Sequence, residues 1–133
     1  MLPEWYYRPQ PRRLAWGSTR IVVLTRRWAI KLPRPTEWRL FLHGLLANMQ
    51  ERQWSSLHDP RLCPVKWSLP GGWLVVMPRA EPISDDAWAV MNPEAWCGER
   101  EEDEMPYCIP VEAKRDSFGR LPNGRIVAVD YGT

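Results

Sequence analysis

A chain of 133 residues with 44% hydrophobic content has the length of one domain and enough apolar material for a packed core, which excludes global disorder. Its formal net charge is only +2, no apolar run approaches the ~18 residues of a membrane span, and Met1-Leu2-Pro3-Glu4-Trp5 is no signal peptide. Cytoplasmic residence without membrane attachment is therefore the expectation.

Residues 1–15, with Pro3, Pro9 and Pro11, read as an irregular arm. Thr19 to Leu24 is rich in β-branched residues and strand-like; after the turn Thr25-Arg26-Arg27 the chain returns as a second strand over Trp28 to Lys31. Pro33 and Pro35 end it, and Thr36 is placed to cap a helix with Glu37 in its first turn. Along that helix Trp38, Phe41, Leu42, Leu45, Met49 and Arg52 share one face, the pattern of an amphipathic helix. Glu51 lies on a different stripe with Leu40, Gly44, Ala47 and Asn48. That small, polar stripe would either let a strand-borne lysine approach the carboxylate or face solvent.

Val65 to Leu69 and Trp73 to Met77 flank Pro70-Gly71-Gly72 as a hairpin. The region 80–111 is acidic and interrupted by proline, with one short helix around Asp85–Val90. Ser117 to Leu121 and Arg125 to Asp130 form a last hairpin around Pro122-Asn123-Gly124. The expected fold class is α+β: an antiparallel sheet with one main helix, a short linker and a C-terminal β-hairpin.

Charge is unevenly placed: residues 1–58 carry ten Lys/Arg against three acids, and residues 59–133 carry eight against thirteen. A basic half attracts phosphates, but no nucleic-acid-binding motif accompanies it, so nucleic acid is not the expected partner. Three cysteines, Cys63, Cys97 and Cys108, with no C-x-x-C pair, support neither a disulfide framework nor a zinc site. Of the nine tryptophans, Trp5, Trp88 and Trp96 stand in Pro- or acid-rich stretches without periodic apolar company. They are candidate interface anchors, the alternative being that they pack irregular loops.

Four short motifs recur in order. Lys31 ends Trp28-Ala29-Ile30-Lys31, and Glu51 follows twenty residues later on the helix. Pro110-Val111-Glu112-Ala113-Lys114-Arg115-Asp116-Ser117 precedes the last hairpin, and Asp130-Tyr131-Gly132 follows it. Together they resemble the VAIK lysine, αC glutamate, catalytic loop and DFG motif of protein kinases. The resemblance covers about residues 17–132 and implies a small-lobe-like part over 17–79 and a catalytic-loop-like hairpin over 112–133. It implies nucleotide-binding roles for Lys31, Glu51 and Lys114, catalytic roles for Glu112 and Asp130, and Mg²⁺ binding by Asp130 and Ser117.

The departures from the kinase pattern are as informative. Glu112 stands where kinases have aspartate, and Ser117 replaces the metal-binding asparagine with a weaker ligand for a hard cation. Of the glycine-rich loop only Gly17 remains, and the sequence ends at Thr133 with no activation segment. The resemblance thus implies a degenerate, kinase-like protein without cofactor that binds another protein. It is similar in this to small kinase-like proteins of phages and mobile elements, which inhibit a host enzyme or defence system. The alternatives are an ATP- and Mg²⁺-dependent phosphotransferase completed by a partner, and a small nucleic-acid-binding domain using the basic half.

Overall fold

The computed structural model describes residues 13–17, 19–93 and 111–132. Among the described residues seven strands and two α-helices follow one another as β1 (Arg13–Trp16), β2 (Arg20–Leu24), β3 (Trp28–Pro33), α1 (Trp38–Ser55), β4 (Trp67–Leu69), β5 (Leu74–Pro78), α2 (Asp85–Val90), β6 (Phe118–Arg120) and β7 (Ile126–Ala128). The first five strands form one antiparallel sheet in the order β1-β2-β3-β5-β4, and β6 and β7 form a separate two-stranded ribbon. The α+β class expected from sequence is what the chain adopts. Among the described residues no helix is long and apolar enough to cross a membrane.

Strand β1 begins within the segment 1–15 expected to be irregular and runs one residue past it. Arg13-Leu14-Ala15-Trp16 has little intrinsic strand character, and its conformation comes from pairing with β2, Leu14 against Val23 and Trp16 against Ile21. The other elements fall close to expectation: the Pro70–Gly72 turn places both Gly71 and Gly72 at φ 80°, the left-handed region that favours glycine, and α2 is capped by Ser84, whose hydroxyl accepts from the Ala87 amide at 3.2 Å. Thr36 does not cap α1; Glu37 holds that position without a side-chain bond, and the Thr36 hydroxyl instead accepts from Arg34 Nε at 3.0 Å.

Directly paired residues point to the same side of a sheet, and alternate residues along a strand return to it. Val22 opposite Lys31, and Lys31 opposite Val75, therefore define an inner face shared with Arg20 and Met77. The core lies against that face, where Val75 and Met77 meet Leu62, Ile83, Phe118 and Val127. The ribbon is fastened to the loop after α1 by the Cys63 amide to the Ala128 carbonyl at 2.9 Å and the Ala128 amide to the Arg61 carbonyl at 2.7 Å.

Helix α1 meets the sheet with the stripe that its apolar pattern would leave in water. Gly44, Ala47, Asn48 and Glu51 are its buried residues, whereas Trp38, Leu42, Leu46 and Met49 are exposed. Close approach is the reason. A Cβ on Gly44 would sit 2.5 Å from the Thr19 carbonyl oxygen and 2.8 Å from Pro33 Cα, so no larger residue fits where helix and sheet touch.

Candidate functional site

Four charged side chains from four parts of the chain converge at the inner face: Arg20 from β2, Lys31 from β3, Glu51 from α1 and Asp130 from the segment after β7. Glu51 is the hub, with no exposed surface at all. Lys31 Nζ donates to its two oxygens at 2.9 and 3.0 Å, and Arg20 donates to both as well. The amides of Tyr131 and Gly132 add two more bonds to Glu51 Oε2, at 3.0 and 3.2 Å. A buried carboxylate is tolerable only when paired and fully hydrogen-bonded, and this one is.

Burial alone would push the Glu51 carboxyl up, but Lys31 and Arg20 outweigh it and hold its pKa below the ordinary value. Burial dominates at Lys31, whose pKa is lowered despite Glu51, with Arg20 adding repulsion. At Arg20 burial is overcome by Glu51 and Asp130, and its pKa is raised. Two cations and two anions thus form a nearly neutral quartet.

Asn48 locks the quartet to the fold. Its amide nitrogen donates to the Lys31 carbonyl at 3.1 Å and the Gly72 carbonyl at 2.9 Å, and its oxygen accepts from Arg20 at 3.2 Å. It stands one turn before Glu51 on the buried stripe, so helix register sets both groups at once. Tyr131 fixes the C-terminal end: its ring is fully buried and its hydroxyl donates to the Cys63 carbonyl at 2.6 Å. Gly132 runs so close to α1 that an added Cβ would lie 2.3 Å from the Ala47 carbonyl oxygen.

The residues expected from sequence are thus partly gathered. Lys31, Glu51 and Asp130 come together. Glu112 and Lys114 lie on the exposed approach to β6 and pair with each other at 2.9 Å. The Lys114 pKa is raised, chiefly by its bond to Glu112. Ser117 is enclosed, its carbonyl accepting from the Val129 amide at 2.8 Å. Trp88 is half-buried against the core with its ring 6.3 Å from Phe118, while Trp5 and Trp96 lie outside the described residues.

Arg20 is the participant that sequence reasoning passed over. Its signal was the single cation in a strand of β-branched residues, two positions from the residue that pairs with Lys31. Its position governs what the site can hold. Arg20 Nη2 stands 2.7 Å from Asp130 Oδ1 and so engages one of the two oxygens that carboxylate could offer a cation. Lys31 Nζ, besides its bonds to Glu51, donates to the Val129 carbonyl, so all the hydrogens it could offer a phosphate are engaged. As arranged, the Lys31 ammonium and one Asp130 oxygen are taken up by partners within the protein. Among the described residues there is also no group of three His, Cys, Asp or Glu placed to hold a metal ion.

Comparison with known proteins finds no family model, no curated protein and no solved structure that matches this chain.

Proposed function

We propose that this chain is a kinase-like binding protein that performs no phosphotransfer and acts in the cytoplasm through contacts with another protein. The observation that carries the proposal is the Arg20 guanidinium bridging Glu51 and Asp130. A side chain of the protein itself supplies the positive charge that a metal would bring to Asp130, so the constellation is satisfied without ligand. Displacing Arg20 would strand buried charge, which costs several kcal/mol. The likeness to small phage and mobile-element kinase-like proteins extends the proposal to inhibition of a host enzyme or defence system.

One observation favours a second reading, a phosphotransferase completed by a partner: Lys31, Glu51 and Asp130 come together at one place, with the Asp130 side chain half exposed. Titration with ATP, with and without Mg²⁺, followed by thermal shift, separates the two. The binding-protein reading expects no shift at millimolar ATP. Micromolar, Mg²⁺-dependent stabilisation that disappears in Lys31→Ala and Asp130→Asn would replace it with the phosphotransferase.

A further inference from the structure

The outer face of the five-stranded sheet is apolar from edge to edge. One row of directly paired residues crosses all five strands, Leu14–Val23–Ile30–Val76–Trp67, without a polar side chain. Beside it, Trp16 pairs with Ile21, and Ile21 with Leu32. Leu14, Trp16 and Trp67 are each more than half exposed, and Trp28 and Leu69 are exposed as well. Three indoles exposed to this degree supply roughly 300 Å² of apolar surface, already the scale of the largest patch on an ordinary monomer.

The strands themselves say what such a face is for. An antiparallel strand with one face in water alternates polar and apolar residues, whereas a strand covered on both sides reads as a continuous apolar run. Ile21-Val22-Val23-Leu24 and Leu74-Val75-Val76-Met77 are of the second kind. Their inner residues meet the core; their outer residues have the composition of a layer meant to be covered by protein.

Charge gives the chemistry of the cover. Residues 13–36 and 65–79, which contain every strand of this sheet and its tight turns, include no aspartate or glutamate. Cations border the face on one side: Arg34 lies over the Trp16 ring at 5.3 Å, and Arg26 and Arg27 occupy the exposed turn beside Trp28. Five strands at the usual spacing span roughly 20 Å, wide enough to seat a helix of ~10 Å diameter with its flanks over the basic rim.

We propose that this outer face is a docking surface for an amphipathic segment of a partner protein, its apolar stripe laid across the sheet and its flanks acidic. The inference rests on the binding-protein reading above and names the surface and the chemistry of the partner. Trp88, half-buried against the core, is not part of that surface.

The test uses two synthetic helical peptides of about 18 residues, ~27 Å long, with the same leucine stripe and either glutamate or lysine on its flanks. Intrinsic fluorescence of the full chain reads binding. The glutamate peptide is expected to bind about tenfold or more tightly than its lysine twin, with affinity falling as salt rises. Trp16→Glu with Trp67→Glu should weaken it about tenfold or more. Leu42→Glu with Leu46→Glu, on the exposed stripe of α1, should leave it unchanged. Arg34→Glu, which reverses a charge beside Trp16 and leaves both indoles in place, should reduce the preference for the acidic peptide and guards against misfolding of the tryptophan variant.

Equal binding of the twins, or binding indifferent to both the Trp16/Trp67 and the Arg34 variants, overturns the proposal. Flotation of the wild-type chain with phosphatidylserine vesicles, lost in the tryptophan variant, assigns the face to a membrane instead. A dimer that Trp67→Glu dissociates assigns it to a second copy, and thermal destabilisation of the tryptophan variant without any peptide binding by the wild type assigns it to the chain's own cover. ATP titration of the same preparation stands apart: micromolar ATP binding would sink the non-catalytic reading and leave the peptide result standing.

Discussion

Arg20 and Asp130, 110 residues apart in sequence, are joined at 2.7 Å, and the same guanidinium is bonded to Glu51 on α1. One cation thereby links sheet, helix and C-terminal segment, but its two ends differ in environment. Glu51 is sealed from water, while the Asp130 side chain is 50% exposed. Arg20→Met should therefore cost about 3 kcal/mol, because it removes one of two cations facing a buried carboxylate. Asp130→Asn should cost less than about 1 kcal/mol, because the aspartate end is half in water. Denaturant midpoints of the two variants check this. Equal losses would show that the Asp130 end contributes as a buried group does.

Glu51 sets the acid limit of the fold. Its pKa is held below the ordinary value, with the penalty of burial outweighed by Lys31 and Arg20. Protonation is thus harder in the folded than in the unfolded chain. The stabilisation is fully present above the unfolded value near 4.5 and is lost as pH falls through the lower folded value. Glu51→Gln should be destabilised by about 3 kcal/mol near neutral pH, since it leaves two buried cations facing an amide. The gap to wild type should then narrow below pH ~4. A gap that stays constant from pH 7 to 3 would mean that Glu51 does not carry this charge in the folded state.

How much of this was legible in the sequence depends on whether local or tertiary physics decided each element. Trp28 to Lys31, the two hairpins and the helix at Asp85–Val90 announce themselves by strand formers, turn residues and a serine cap, all local signals. The twenty-residue step from Lys31 to Glu51, strand to helix, suggested their pairing. Strand β1 was hidden because Arg13-Leu14-Ala15-Trp16 becomes a strand only through β2. The buried side of α1 was misleading for a different reason. Hydrophobicity favours Trp38 and Leu42 for the interior, but the space beside Thr19 and Pro33 admits only Gly44, and the buried charges need Asn48 and Glu51. Arg20 escaped notice because nothing local separates an inward arginine from a solvated one.

Tyr131 tests how the C-terminal segment is held. Its hydroxyl donates to the Cys63 carbonyl at 2.6 Å inside the core, and burial, followed by the nearby Glu51 charge, pushes its pKa well above that of a free tyrosine. Tyr131→Phe keeps the ring and strands a buried carbonyl, so a loss of about 1–3 kcal/mol is expected. Gly132→Ala should do harm of another kind, forcing the segment off α1 where the new methyl would lie 2.3 Å from the Ala47 carbonyl oxygen. Amide hydrogen exchange distinguishes them. Tyr131→Phe should raise exchange in proportion to the lost global stability, whereas Gly132→Ala should loosen the Tyr131 and Gly132 amides beyond that. Unchanged exchange at those two amides in Gly132→Ala would show that α1 yields instead.

Cys63 reports on the same core. It has no exposed surface, its Sγ lies 3.7 Å from the Pro78 carbonyl oxygen, and its amide is bonded to Ala128. Burial pushes the thiol pKa up to about 12, so near pH 8 the sulfur is both sealed and protonated. A thiolate is the reactive species, so modification requires opening first. In a chain carrying Cys97→Ser and Cys108→Ser, a thiol reagent should label Cys63 only as fast as the protein unfolds, and mild denaturant should accelerate both processes in parallel. The raised pKa also fixes a sign at high pH. The folded chain keeps a proton that the unfolded chain releases above pH 9, so this group's contribution falls as pH rises from 9 toward 12. Labelling much faster than global unfolding would mean that the ribbon β6–β7 separates from the Cys63 loop on its own, and the core would then open at the Ala128 bonds.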